Sequence, residues 1–585
     1  MIIKDIGDKL LAIFLLAIAC SFLAYEISIS DVGIDLSDEG WSLSKFLFPE
    51  EVKATLSRDH LYSSLLFEFI NYDLSILRSI NIFFLLISNG IFIYGVLKCF
   101  FKEKEGNKKK FYLFIILLST AIISQMPSLW IERVPAYNNL TSSTVLATLG
   151  IVFLSSKPNC RLNNIYYFII GLLVAISFLI RPPTAVALII ALITINFLSK
   201  EFVKGNLLYA SLGIVFLLLF HFIFIENLKV YFDSLKLGFA FDSLLSSEHG
   251  ISTLKRNFNE LLVTLKFSIT FNKYVYASFL FFCFFLRKTR NSNIFFSLFI
   301  IHLLFISYNH YCIGDINGGL SLYWFQWRLY FAQISFTIFY ILFFFMLFRK
   351  DVKVLFKNEL LLIPLFLVAS PILFAFGTNN IIMFNMNFFT PIFIVGLFLI
   401  FIFANKISKS KIKFCHSYLF ILVLCIGPAH SFLHGRMIED FYTISSISKL
   451  NIKDNKETVF IDEIPIQVGE STKEILEGIN NKIKLHKTNY QFLLNFSNMP
   501  GLNYFCKLPH PIQPWTTMMS DNFTLKNINQ AIFNSSVILL ITGDNLTVKH
   551  LDNYFPEWKE SHPFKHSVSL KNNLGTYDLY FPSEH

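Results

Sequence analysis

About thirteen apolar stretches separated by short polar segments occupy the first three quarters of the chain. They fall near residues 9–25, 80–97, 111–125, 139–155, 164–180, 184–199, 206–225, 274–286, 294–308, 328–348, 360–376, 388–404 and 415–433. A hydrocarbon core about 30 Å thick takes roughly 20 apolar residues per helical crossing, so each stretch predicts a membrane-spanning helix. After about residue 434 the pattern changes. Strand-like runs at 458–461, 536–541 and 576–580 alternate with helical stretches such as 470–484. The expected fold class is a polytopic α-helical membrane protein. Its transmembrane part covers 1–433, and a small α/β or α+β outer-side domain covers 434–585.

Composition agrees with the pattern. Of 585 residues, 54% are hydrophobic and only 15% charged, with 69 Phe, against about 25% charged in ordinary soluble chains. A conventional soluble enzyme, a disordered chain and a secreted disulfide scaffold are excluded. The net charge of +10 is concentrated in short loops, at 98–110, 287–290, 349–357 and 406–413. Basic residues in such loops mark the inner face. This places the N-terminus inside, and puts residues 26–79, 226–273, 309–327 and the tail outside. The basic clusters lack any aromatic-basic groove, so no nucleic-acid partner is expected. The working face is the outer one.

The first outer loop carries the densest candidate chemistry, Asp31-Val32-Gly33-Ile34-Asp35-Leu36-Ser37-Asp38-Glu39-Gly40-Trp41, followed by Arg58-Asp59-His60. Adjacent carboxylates at a membrane surface can raise one another's pKa, and a carboxylate so poised can act as general base toward a sugar hydroxyl. The plain alternative is that outer loops carry acids because they are wet. On the same side lie Arg133-Val134-Pro135-Ala136-Tyr137-Asn138, Arg181-Pro182-Pro183, Trp324-Phe325-Gln326-Trp327-Arg328 and Phe376-Gly377-Thr378-Asn379-Asn380. Each arginine can clamp a phosphate by charge-assisted hydrogen bonds, or equally snorkel to headgroups from a helix end. Asp315 with His310 is a second, weaker acidic spot. One of Trp41, Tyr137, Trp324 and Trp327 is expected to serve as a sugar platform. The 14 histidines form no HExxH set, and no CxxC, Walker, GxGxxG or GxSxG element occurs. No metal or other cofactor is therefore expected.

An Asp-Glu pair just beyond the first span, about thirteen spans and a terminal outer-side domain together resemble the GT-C superfamily of integral-membrane glycosyltransferases that use polyprenyl-phosphate sugars. Asp38-Glu39 matches the acidic pair of the protein O-mannosyltransferases and the lipid A aminoarabinose transferases. Pro135/Tyr137-Asn138, Arg181-Pro182 and, in the tail, Met499-Pro500-Gly501-Leu502 followed by Pro511 to Trp515 are similar to bacterial members. The Phe-rich and Asn/Lys-rich character resembles O-antigen glucosyltransferases. Gly40-Trp41-Ser42 departs from the mannosyltransferase continuation, so acceptor type does not carry over. The resemblance implies inverting transfer of a single sugar from a polyprenyl-phosphate donor to an envelope glycan or glycolipid, such as lipopolysaccharide. Asp38 would deprotonate the acceptor hydroxyl, and Glu39 or a neighbour would hold that acceptor. Arg58, Arg133, Arg181 and Arg328 would stabilise the departing phosphate, with His60, Tyr137, Asn138, Asp315 and Trp327 completing the substrate site. The place would be a bacterial inner membrane, N-terminus cytoplasmic and C-terminal domain periplasmic. A lipid-linked sugar flippase or other transporter is the competing class, and an anchored interaction module a third. Against the transporter, the spans are nearly free of charge.

Overall fold

The computed structural model describes residues 2–101, 107–130, 132–155, 162–199, 204–245, 251–286, 292–314, 332–341, 359–375, 382–407, 414–437, 455–461, 463–486, 490–512, 521–569 and 576–582. Every expected span coincides with a helix there. In chain order the first nine helices are α1 (Ile2–Ser28), α2 (Asp38–Leu47), α3 (Asp59–Phe69), α4 (Leu74–Phe100), α5 (Asn107–Gln125), α6 (Tyr137–Ser155), α7 (Asn163–Ile180), α8 (Pro182–Ser199) and α9 (Lys204–Phe224). There follow α10 (Leu228–Leu245), α11 (Ile251–Phe271), α12 (Lys273–Leu286), α13 (Ser292–Gly314), α14 (Ala332–Ile341), α15 (Glu359–Ala375), α16 (Thr390–Ile407) and α17 (Phe414–Met437). Among the described residues five helices are long and apolar enough to cross a membrane, namely Gly7–Ser28, Leu74–Phe100, Asn107–Leu129, Asn163–Ile180 and Leu207–Phe224. The others of the expected set are shorter or less apolar. The segment 226–273, expected as a loop, is largely helical in α10 and α11.

The helices pack where small residues let them. A Cβ on Gly95 of α4 would come within 2.2 Å of the Gly150 carbonyl oxygen of α6, so these two helices touch backbone to backbone. Without a hydrophobic drive between helices in lipid, such close approach is a main source of association. The apolar core of the helical part runs from Ala12 through Phe92, Val145 and Phe299 to Phe401 and Phe420.

The tail is an α+β unit. A hairpin of β1 (Asn455–Ile461) and β2 (Ile464–Gly469) is followed by α18 (Glu470–Leu485). A four-stranded sheet then forms from β3 (Phe492–Asn495), β4 (Ser536–Ile541), β5 (Phe564–Ser569) and β6 (Thr576–Phe581), in the order β3-β4-β6-β5. β3 runs parallel to β4, and β6 antiparallel to both β4 and β5. The helices α19 (Gly501–Cys506), α20 (Asp521–Asn527) and α21 (Asn545–Tyr554) lie between strands in sequence.

The segment between α1 and α4 and the tail share one core. Leu43 and Phe46 of α2 and Phe67 of α3 belong to the same buried cluster as Leu493, Leu502, Tyr504 and Leu579 of the tail. Fully burying one such side chain stabilises by about 1.5–3 kcal/mol. The backbone joins too. Val32 forms a parallel bridge to Gln467 of β2, with Gly33 N–H donating to the Gln467 carbonyl at 2.7 Å and Gln467 N–H to the Asp31 carbonyl at 2.9 Å. Gly33 has φ +71°, the left-handed conformation that glycine tolerates best, and there the chain turns toward α2.

Candidate active site

The helix α2 begins where Asp35 makes it begin. Its carboxylate accepts from Ser37 N–H at 2.9 Å, from the Ser37 hydroxyl at 2.6 Å, from Asp38 N–H at 3.1 Å and from Glu39 N–H at 3.3 Å. Donors that a helix start otherwise leaves open are thereby satisfied. Asp38 and Glu39 follow in the first turn, adjacent in sequence but about 100° apart around the helix.

That angle sends them to different surroundings. Glu39 is buried and held bidentately by Arg78 of α4, with Nε donating to Oε1 at 2.8 Å and Nη2 to Oε2 at 2.7 Å. Burial works to raise the Glu39 pKa, but the Arg78 guanidinium outweighs it and holds the carboxyl below the usual range. Arg78 also donates to the carbonyls of Ser30 at 2.6 Å and Gly33 at 2.7 Å. The pair thus ties α2, the loop before it and α4 into one block.

Asp38 lies on the other side and is partly exposed. Trp41 and Lys45, at i+3 and i+7, continue its face. Lys45 Nζ sits 3.7 Å above the Trp41 ring and 3.3 Å from Asp59 Oδ2. Burial would raise the Asp59 pKa; Lys45, and less strongly His60, bring it below the ordinary value. Tyr137 meets the Trp41 ring edge to face at 6.3 Å. Trp41 therefore stands one turn from Asp38 with part of its surface open.

Beside this face lies Glu132, in the turn before α6. It is 5% exposed. Its Oε1 accepts from Asn138 Nδ2 at 2.6 Å, and its Oε2 has no hydrogen-bond partner among the described residues. Burial pushes its pKa up to about 8; the Asn138 hydrogen bond opposes this, and the charges of Asp38 and Asp59 add to it. Arg181, the residue between α7 and α8, donates from Nη2 to the Ala375 carbonyl at 2.8 Å. Burial lowers its pKa to about 10, with Tyr137 and Glu132 pulling the other way, so it stays a cation at neutral pH.

The remaining expected residues fall in three groups. Arg58, fully buried, donates from Nε to Glu226 at 2.7 Å and from Nη2 to the Tyr231 carbonyl at 3.0 Å, and its guanidinium lies 4.7 Å from the Tyr231 ring centre. His221 also touches Glu226, at 3.3 Å, and Tyr62 at 2.9 Å. Arg133 donates to the carbonyls of Val32 at 2.6 Å and Ile29 at 2.5 Å. These two arginines therefore brace the loop, Arg58 against the start of α10 and Arg133 against the end of α1. His60 is buried with Nδ1 unpartnered among the described residues, and burial drives its pKa down to about 3, against the pull of Asp59. Asp315, Trp327 and Arg328, like Trp324 and the 376–380 turn, lie outside the described residues.

Sequence reading missed Glu132, Lys45 and the role of Arg78. Glu132 directly precedes Arg133, and Lys45 follows Asp38 by seven positions on one helical face. Among the described residues no group of three or more His, Cys, Asp or Glu is arranged to hold a metal ion. In the tail, the Met499-Pro500-Gly501-Leu502 motif docks on α2, with the Ser44 hydroxyl donating to the Pro500 carbonyl at 2.7 Å and Gly501 N–H to the Leu36 carbonyl at 2.9 Å. Trp515 lies outside the described residues.

No family model matches the chain, and no curated protein matches it. Among solved structures it is similar to the crystal structure of ArnT from Cupriavidus metallidurans bound to undecaprenyl phosphate, at 8% identity and a TM-score of 0.38, over 97% of this chain and 97% of that one. The site described above rests on this chain's own residues.

Proposed function

We propose that this protein is an inverting glycosyltransferase that moves one sugar from a polyprenyl-phosphate donor to a hydroxyl of an envelope glycan or glycolipid, at the outer face of a bacterial inner membrane. Its N-terminus is cytoplasmic and its C-terminal unit periplasmic. One observation carries the reading. A partly exposed carboxylate, Asp38, shares a helix face with an aromatic ring, and Tyr137 lies within electrostatic reach of both it and a buried cation, Arg181, while its neighbour Glu39 is spent on holding the loop.

In the reaction Asp38 accepts the proton of the acceptor hydroxyl. The acceptor oxygen forms the new bond to the anomeric carbon, and the bond from that carbon to the phosphate oxygen breaks, its electron pair leaving with the polyprenyl phosphate. Arg181 stabilises the charge developing on the phosphate, and Trp41 offers a ring face to the sugar. Tyr137 and Asn138 line the same place, and Asp59 orients Lys45. Arg58, Arg133 and Glu39 act at one remove, by fixing the loop.

The test is mass spectrometry of envelope polysaccharide and glycolipid from cells making wild type or Asp38→Asn at matched levels. A sugar-sized increment present in the wild type and absent in the variant supports the reading. An increment in both discards Asp38 as the base. No increment in either, in a host that makes both donor and acceptor, moves the weight to a transporter.

A further inference from the structure

Glu132 is an acid that the site does not otherwise explain. Its Oε1 already accepts a 2.6 Å hydrogen bond from Asn138, its backbone carbonyl accepts from Asn139 at 2.6 Å, and its Oε2 has no partner among the described residues. A polar atom left buried and unpaired is destabilising. A structural role is served as well by glutamine, which would accept from Asn138 without adding charge beside Asp38 and Asp59.

The groups that face Glu132 are Asp38 on α2, Asp59 on α3 (itself paired with Lys45), Tyr137, Asn138 and Asn139 on α6, and Arg181 in the turn after α7. A third ionised carboxylate here would repel the other two. A neutral one becomes an O–H donor, and since Oε1 is engaged as acceptor, the proton resides on Oε2. An unspent donor next to a guanidinium is suited to an anionic oxygen.

We infer that Glu132 is a phosphate-binding residue, whose protonated carboxyl donates a hydrogen bond from Oε2 to a non-bridging phosphate oxygen of the polyprenyl-phosphate donor. The inference rests on the transferase reading. It adds a carboxyl group that must be uncharged to do its work. No proton is transferred. The hydrogen bond strengthens as the leaving phosphate gains charge, and ionisation of Glu132 turns the donor into a repelling anion. With its pKa near 8, the group is mostly neutral at pH 7 and ionised by pH 9.5.

The experiment is equilibrium binding of undecaprenyl phosphate to the full-length protein in detergent between pH 7 and pH 9.5. In the wild type affinity should fall roughly tenfold or more across that range, as the competent fraction shrinks. In Glu132→Gln, which keeps a donor that does not ionise, affinity should stay flat within about twofold, with thermal unfolding near that of the wild type. Asp38→Asn removes a charge that raises the Glu132 pKa, so its alkaline fall should move to lower pH without any change at position 132. A fall that survives in Glu132→Gln, or a midpoint unmoved in Asp38→Asn, overturns the role of Glu132. No saturable binding in the wild type at any pH overturns the transferase reading itself, and this inference with it.

Discussion

A Cβ placed on Gly40 would lie 2.5 Å from the Cα of Gly501. The helix that carries Asp38 therefore touches the tail backbone to backbone, across most of the length of the chain. Any side chain at position 40 has to push the tail away. Gly40→Ala should cost about 1–3 kcal/mol, the usual range for overpacking a filled site. The expected readout is a lower melting temperature in detergent and faster proteolysis of the tail. Unchanged stability would mean that the two elements part easily.

Asp38→Asn should lower transfer at least about a hundredfold, as loss of a general base does, while leaving expression and melting temperature near the wild type. Rate measurements on purified protein in detergent, with donor and acceptor supplied, check this. Near-normal turnover would remove Asp38 from the chemistry.

Arg78→Met leaves Glu39 buried without its partner, and breaking a buried ion pair in this way costs about 3–5 kcal/mol. Little of that variant should accumulate in membranes, and the double variant Glu39→Gln/Arg78→Met should recover part of the loss. Acid should act on the same pair. Because the folded-state pKa of Glu39 is depressed, its contribution is fully present above the unfolded value and is lost as pH falls through the folded one. Melting measured below about pH 4.5, the ordinary glutamate range, should show a steeper decline in the wild type than in Glu39→Gln.

Removal of residues after about 440 should abolish transfer. It should also destabilise the segment between α1 and α4, since Leu43, Phe46 and Phe67 share their core with the tail. Protease sensitivity within residues 31–70 of the truncated protein is the direct measurement. A protected loop would confine the tail to recognition of the acceptor.

The helices were legible because hydropathy is a local property, and each apolar run maps onto one of them. The tail strands at 458–461, 536–541 and 576–580 were legible from their apolar β-branched and aromatic residues, and each falls within β1, β4 or β6. What local reading could not show is partnership. Arg58 and Arg133 look like free outer-face cations until the fold brings Glu226 from 168 positions away and the Val32 carbonyl from 101. Asp38 and Glu39 look like one dyad until the helix turns them apart. Glu132 was hidden by its neighbour, because an acid beside an arginine reads as a local pair although the arginine points to α1. α10 and α11 escaped notice because their polar residues interrupt the apolar run that marks a span.

The docking of the Pro500-Gly501 turn on α2 also sets an order of events in the making of the protein. The hydrogen bond from Ser44 to the Pro500 carbonyl joins positions 456 residues apart. At a synthesis rate of about 5–20 residues per second, the segment between α1 and α4 waits roughly 20 to 90 seconds for that partner to emerge. During that time the stretch bearing Asp38 lacks the surface on which it packs. The packing of α2 is thus completed only when the tail has been delivered to the same side of the membrane, and a chain whose synthesis stops early should lack the surface against which α2 rests.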